Sequence, residues 1–228
     1  APYKINIALD GHAGTGKSTT AKGVAQALGY IYVDTGAMYR AITLFALREG
    51  LAETPDERLD ARLPSIELHF ERNAQGLPEI LLNGVNEEHN IRSFEVAQHV
   101  SPIAARPAVR DFLVAQQRQI AAGKGVVMDG RDIGTNVLPD AELKVFTTAS
   151  IEARVQRRML ELEAAGEQVD AAAIQANLEE RDHLDSTREH APLRQAPDAH
   201  VLDTTGCTIQ QQVAQVLAWA EPLMAQAL

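Results

Sequence analysis

Short apolar runs alternate along this chain with longer stretches in which apolar residues recur every three or four positions. Ile5-Asn6-Ile7-Ala8-Leu9 is the first run, and it predicts a buried strand. An Ala-rich stretch from Ser18 to Leu28 predicts a helix. Tyr30-Ile31-Tyr32-Val33 then predicts a second strand. In residues 37–49, Met38, Ala41, Ile42, Phe45 and Ala46 fall on one helical face. Residues 52–65 predict a polar, weakly amphipathic helix. Further on, Val126-Val127-Met128-Asp129, Leu143-Lys144-Val145-Phe146 and Val201-Leu202-Asp203 predict strands three to five. Helices are expected from Ser93, over about 107–122, over 150–165 with Ser150 as cap, over 170–185 with Asp170 as cap, and over 208–220. Strands alternating with helices mean an α/β fold around a parallel sheet of five strands.

One region breaks this rhythm. Ile66-Glu67-Leu68-His69-Phe70 alternates with period two, Asn73 to Pro78 is turn-rich, and Glu79 to Gly84 is apolar again. This predicts an antiparallel hairpin, and residues 63–92 are expected to form the core of an insertion on the parallel scaffold.

Composition narrows the possible partners. The 228 residues carry 45% hydrophobic and 23% charged side chains, ordinary for a globular α/β domain. A formal net charge of −10 argues against a long nucleic-acid partner, which calls for a basic surface. No apolar run reaches the length of a membrane span. Ala1 to Lys4 leads straight into the first strand without a signal-peptide layout, and Cys207 is the single cysteine. A cytoplasmic protein is expected, and nothing in the sequence demands more than a monomer.

The first strand and first helix are joined by Gly11-His12-Ala13-Gly14-Thr15-Gly16-Lys17-Ser18, which fits G-x-x-x-x-G-K-[ST] at every fixed position. Its glycines let successive N–H groups turn inward as an anion nest, and the helix N-terminus adds positive potential. Gly11 to Ser18, with Thr19 behind them, are therefore assigned to a nucleoside triphosphate. Lys17 reaches the outer phosphates and Ser18 serves Mg²⁺. Asp129 ends an apolar strand and is placed near the same Mg²⁺, directly or through water. The histidines show no metal-ligand spacing, and a guanine-specific N-K-x-D is absent from the sequence.

The remaining charges allow two readings. Arg154, Arg157 and Arg158 share one helix face, as do Arg181, Asp185 and Arg188. Taken alone, each face is a surface ion-pair ladder worth about 0.3–0.5 kcal/mol per pair. Together with Arg40, Arg110 and Arg131, in an acidic chain, they supply the arginine forks that a second phosphorylated substrate would need.

With Asp34-Thr35-Gly36-Ala37-Met38-Tyr39-Arg40, Asp129-Gly130-Arg131-Asp132 and Arg181-Asp182-His183-Leu184-Asp185-Ser186-Thr187-Arg188 added to the glycine loop, the chain resembles the bacterial-type cytidylate kinases. The resemblance runs nearly end to end and also takes in Arg157-Arg158 and Leu202-Asp203-Thr204-Thr205. It implies a P-loop core over 1–62 and 123–228, a CMP-binding insertion over 63–122 and a lid over about 154–188. It implies ATP as donor, Mg²⁺, and CMP or dCMP as acceptor. Arg40 and Arg131 would hold the acceptor phosphate. Ser101, Arg110, Asp132 and Arg188 would surround the cytosine, and Thr35, Arg181 and Asp185 the ribose. Arg154, Arg157 and Arg158 would close from the lid. Lys17, Arg131, Asp132, Arg157 and Arg158 are the residues expected to carry catalysis. His12 stands where many relatives have proline, and Thr35 where some have serine.

Overall fold

In the computed structural model, which describes residues 2–225, all strands predicted for the scaffold pair in one parallel sheet. They are β1 (Asn6–Gly11), β2 (Ile31–Asp34), β6 (Val126–Gly130), β7 (Leu143–Thr148) and β8 (His200–Asp203), in the order β2-β6-β1-β7-β8. The central strand β1 is buried along its whole length, as a strand covered on both faces must be. Helices α1 (Lys17–Leu28) and α8 (Ile209–Ala225) cover one face through Val24, Ala25, Val216 and Ala220, packed on Ile7, Leu9 and Val145. On the other face α2 (Thr35–Arg48), α4 (Phe94–Ala104) and α5 (Pro107–Ala121) build the larger core around Ile42, Val100, Leu113 and Met128. No described helix is long and apolar enough to cross a membrane.

The helix starts follow local chemistry. Asp34 ends β2 and accepts the Ala37 N–H, so strand and helix α2 meet without a connecting loop. Ser93 caps α4. Ser150 caps α6 (Ile151–Ala164) and Asp170 caps α7 (Ala171–Thr187). Each such cap is worth roughly 1 kcal/mol.

Three segments differ from the sequence pattern. The helix expected over 52–65 contracts to α3 (Glu57–Arg62) and a 3₁₀ turn at Leu63–Ser65. Pro55 disfavours helical backbone before it, and the Asp56 side chain restarts the helix by accepting the Arg58 N–H. The expected hairpin has a third strand: β3 (Leu68–Arg72), β4 (Pro78–Leu82) and β5 (Val85–Asn86) form an antiparallel sheet of their own. Asn83 and Gly84, both at positive φ (49° and 80°), make the tight turn between β4 and β5. Finally, one turn of π-helix at Ile133–Val137 follows β6, in a segment to which the sequence pattern assigns no element.

Candidate active site

The C-terminal ends of the parallel strands surround a cavity of about 850 Å³. One wall is the glycine loop. Gly11 is required there because a Cβ would lie 2.6 Å from the Thr147 carbonyl. Gly14, at φ 78°, turns the chain where side chains are disfavoured. Thr15 is buried and shares a 2.8 Å hydrogen bond with Thr147, so the loop is bolted to the end of β7. Ala13, Gly14, Gly16, Lys17, Ser18 and Thr19 face the cavity. Lys17 is buried, and its Nζ donates to the His12 carbonyl at 3.2 Å. Burial first, and the nearby Arg131 second, pull its pKa down to about 7. A polyanion placed against this ammonium would oppose both effects and favour its charged form.

Ser18 Oγ donates to Asp129 Oδ2 at 2.6 Å, and Tyr32 Oη donates to Oδ1 at 3.0 Å. Burial and the neighbouring Asp34 carboxylate push Asp129 up to about 6. A hydroxyl and a charge-frustrated carboxylate side by side at a phosphate nest form an oxygen donor set that suits a hard divalent cation. Asp34 is also buried, yet Arg92, 2.9 Å away, holds it at about 2.

The opposite wall is cationic. Arg40 and Arg181 are deeply placed, and Arg40 Nη1 and Arg181 Nε have no hydrogen-bond partner among the described residues. Burial, then the other arginines, lower both: Arg40 well below its usual range, Arg181 to about 10. Guanidinium groups crowded together with unused donors form an anion site. Asp185 answers part of this charge by accepting from Arg131 Nε at 3.0 Å. Although burial opposes its ionisation, Arg131, Arg181 and Arg188 hold its carboxyl low. The surface-ladder reading does not describe this helix face, because Arg181 and Asp185 are both buried and Asp185 pairs across to a different element.

Deeper in the cavity, Arg110 from α5 and Asp132 form a buried ion pair. Arg110 Nη1 also donates to the Ala104 carbonyl at 3.1 Å, and Asp132 Oδ2 accepts from Asn136 Nδ2 at 3.0 Å. Ser101 on α4 and Arg188 line the same pocket, the latter held by the Ala191 carbonyl at 2.9 and 2.8 Å. This cluster offers a carboxylate acceptor, a hydroxyl and two guanidinium donors. Thr35 lines the cavity too, its hydroxyl donating to the Asp129 carbonyl at 2.7 Å.

The three arginines of α6 separate. Arg158 lines the cavity and donates to the Arg92 carbonyl. Arg154 and Arg157 grip the glycine loop from behind instead. Arg154 donates to the Ala13 carbonyl at 2.7 Å and forks onto Asp182 at 2.7 and 2.6 Å. Arg157 donates to the Gly14 carbonyl and to Thr204. His12 Nδ1 lies 3.2 Å from Asp182, and burial lowers its pKa against the pull of that carboxylate.

Arg92 and Asp182 carry much of this electrostatic frame, and the hydrophobic pattern does not mark them. Arg92 sits in a 3₁₀ turn (Asn90–Arg92) inside the inserted region, and only its pairing with Asp34 and Glu88 reveals it. Asp182 was legible only as a member of the Arg181–Arg188 motif.

A nucleotide-phosphate nest facing an arginine-lined second anion site defines a P-loop kinase with a small phosphorylated acceptor. The family model for cytidylate kinase matches residues 7–221, and the chain belongs to the cytidylate kinase family. It is 51% identical over 218 residues to a cytidylate kinase of Parabacteroides distasonis, covering 94% of this chain and 95% of that one. It is 52% identical over 218 residues to that of Porphyromonas gingivalis, covering 93% and 94%. A cytidylate kinase of Desulfitobacterium hafniense is 50% identical over 214 residues, covering 94% of this chain and 91% of the relative. A solved structure of an uncharacterized protein from Eubacterium ventriosum shares the fold, with TM-score 0.51, 11% identity, and coverage of 96% of this chain and 99% of that one.

Proposed function

We propose that this chain transfers the γ-phosphoryl of ATP to CMP or dCMP, giving ADP and CDP or dCDP. The observation that carries this reading is the buried Arg110–Asp132 pair opening into the cavity that also holds Lys17. Cytosine presents an exocyclic amine donor beside ring acceptors, so its reader needs a carboxylate and a cationic donor together. Uracil, with a carbonyl in place of the amine, would set its oxygen against Asp132.

In this reading the glycine loop and Lys17 bind the donor phosphates. Arg40, Arg131 and Arg181 orient the acceptor phosphate, with Asp185 fixing Arg131 and facing the sugar alongside Thr35. Arg110, Asp132, Ser101 and Arg188 hold the base. The acceptor oxygen is already anionic and needs no strong general base, so positioning and charge stabilisation do the chemistry. Ser18 and Asp129 would hold Mg²⁺, which when bound neutralises phosphate charge. Segment 63–122 forms the acceptor-binding part and 154–188 the lid. Arg158, bonded to the Arg92 carbonyl in the inserted region, keeps the lid over the cavity and water out. Arg154 and Arg157 act indirectly by holding the loop. A cytoplasmic monomer remains the proposed form, and the single cysteine suits a reducing compartment.

The test is ADP formation with CMP, dCMP, UMP and AMP. Turnover led by CMP and dCMP is expected. Preferred turnover of AMP or UMP would overturn the assignment of the base pocket.

A further inference from the structure

Asp10 is the last side chain before the glycine loop, yet its carboxylate is bonded to a different loop. Its Oδ1 accepts the N–H of Ile133 at 2.9 Å and its Oδ2 accepts the N–H of Gly134 at 2.8 Å. Both donors belong to the first residues of the π-turn that follows Asp132. N–H groups at a helix start have no partner within the helix and normally take one from the capping residue. Asp132 occupies that capping position, but its side chain makes no cap hydrogen bond. Its carboxylate is turned to Arg110 and Asn136 instead.

The geometry points to Asp10 as a positioning residue for the acceptor half of the site. By capping this turn from a neighbouring strand, it leaves the Asp132 carboxylate free to face Arg110 and the cavity. It also ties the acceptor-side loop to the strand that launches the donor-side loop, since Asp10 lies opposite Gly130 in the β1–β6 register. A Cβ on Gly134 would lie 3.4 Å from Asp10 Oδ2 and 3.1 Å from the Lys144 stem. Asp10 does not line the cavity, whereas Asp132 and Arg110 do, so this carboxylate works through the turn rather than on the substrate.

This inference rests on the reading of the Arg110–Asp132 pocket as the acceptor-base site, and the wild-type acceptor panel tests that reading separately. Asp10→Asn keeps one acceptor oxygen but sets an amide N–H₂ against the second backbone N–H. Gly134→Ala crowds the Lys144 stem at 3.1 Å and brings a methyl group to 3.4 Å from Asp10 Oδ2, so it presses on the same contact from the turn. For both variants we expect the KM for CMP to rise about tenfold or more and the CMP-to-UMP preference to narrow, with the KM for ATP within about twofold of wild type. If the wild type prefers CMP and both variants keep its CMP KM and base preference, the inference is wrong. It is equally wrong if the KM for ATP and for CMP rise together, or if only the melting temperature falls. Should Asp10→Asn fold poorly, Gly134→Ala alone decides by the same ratio.

Discussion

The Tyr39 ring centroid lies 5.2 Å from the guanidinium carbon of Arg110. Arg110 is thus held on one side by the Asp132 carboxylate and on another by an aromatic ring. Tyr39 Oη is buried and has no hydrogen-bond partner among the described residues, and burial raises its pKa to about 12. The ring, then, does the holding. A buried cation–π contact is worth about 0.5–2 kcal/mol. Tyr39→Leu is expected to raise the KM for CMP by roughly twofold to thirtyfold, with the KM for ATP unchanged. Tyr39→Phe keeps the ring and discards only an unpaired hydroxyl, so its steady-state constants should match wild type. A Phe variant as impaired as Leu would move the contribution to the hydroxyl.

Asp185 and Arg131 make the second decisive pair. Removing one member of a buried pair leaves the other charge uncompensated, at a cost of about 3–5 kcal/mol. In Asp185→Ala, Arg131 and Arg181 face each other without the intervening carboxylate. That variant should melt earlier, and CMP should protect it from heat more strongly than it protects the wild type, because a phosphate supplies the missing anion. Arg188→Met, by contrast, should weaken CMP far more than ATP. Isothermal titration with each nucleotide distinguishes the cases. Equal losses for both ligands would put Arg188 on the shared phosphate path.

How far such residues were legible varied with the kind of signal. The glycine loop and the scaffold strands are local patterns, and they were readable because each forms from contiguous residues. The capping roles of Ser150 and Asp170 were readable for the same reason. The third strand of the small sheet had its Asn83-Gly84 signal in plain view, but only two residues follow it in strand form, too few for an alternation. The shared face of Arg181 and Asp185 was legible, but its burial was not, because helical spacing cannot say what packs against a polar face. Asp10 and Arg92 act across 123 and 58 residues of sequence, at Ile133 and Asp34 respectively, and their identities are set by which loops the sheet order brings together. Arg154 and Arg157 fall between these cases. Their common face was readable, while their grip on the back of the glycine loop depends on how α6 docks.

That grip leads to a prediction about the donor side. Asp182 takes both Nη atoms of Arg154, leaving Nε to hold the Ala13 carbonyl. Such a fork fixes the guanidinium plane. In Asp182→Ala the fork is lost, Arg154 can swing, and the loop carbonyl loses its fixed partner. The KM for ATP should rise about tenfold or more, roughly the worth of one charge-assisted hydrogen bond, while the KM for CMP holds. Steady-state kinetics with each substrate varied in turn reads this directly. An unchanged KM for ATP would reduce Asp182 to a structural brace between α6 and α7.

The last prediction concerns pH. Burial raises Asp10 from 3.8 to about 7, outweighing the two backbone N–H groups that favour its ionised form. A carboxyl group raised on folding contributes its stabilisation fully below its unfolded pKa, and that contribution drains away as pH climbs through the folded value. The window is therefore from about pH 4 to pH 7, and within it stability falls with rising pH. Asp10→Asn carries no such titration. Its melting temperature, measured alongside wild type across that window, should gain on the wild type as pH rises. Catalysis should run the other way, since only the ionised carboxylate accepts from both Ile133 and Gly134. Below about pH 7 the wild-type KM for CMP should climb toward that of Asp10→Asn, whose own pH profile should be flatter. A constant gap between the two proteins, in melting temperature and in KM, would mean that Asp10 does not titrate in this range.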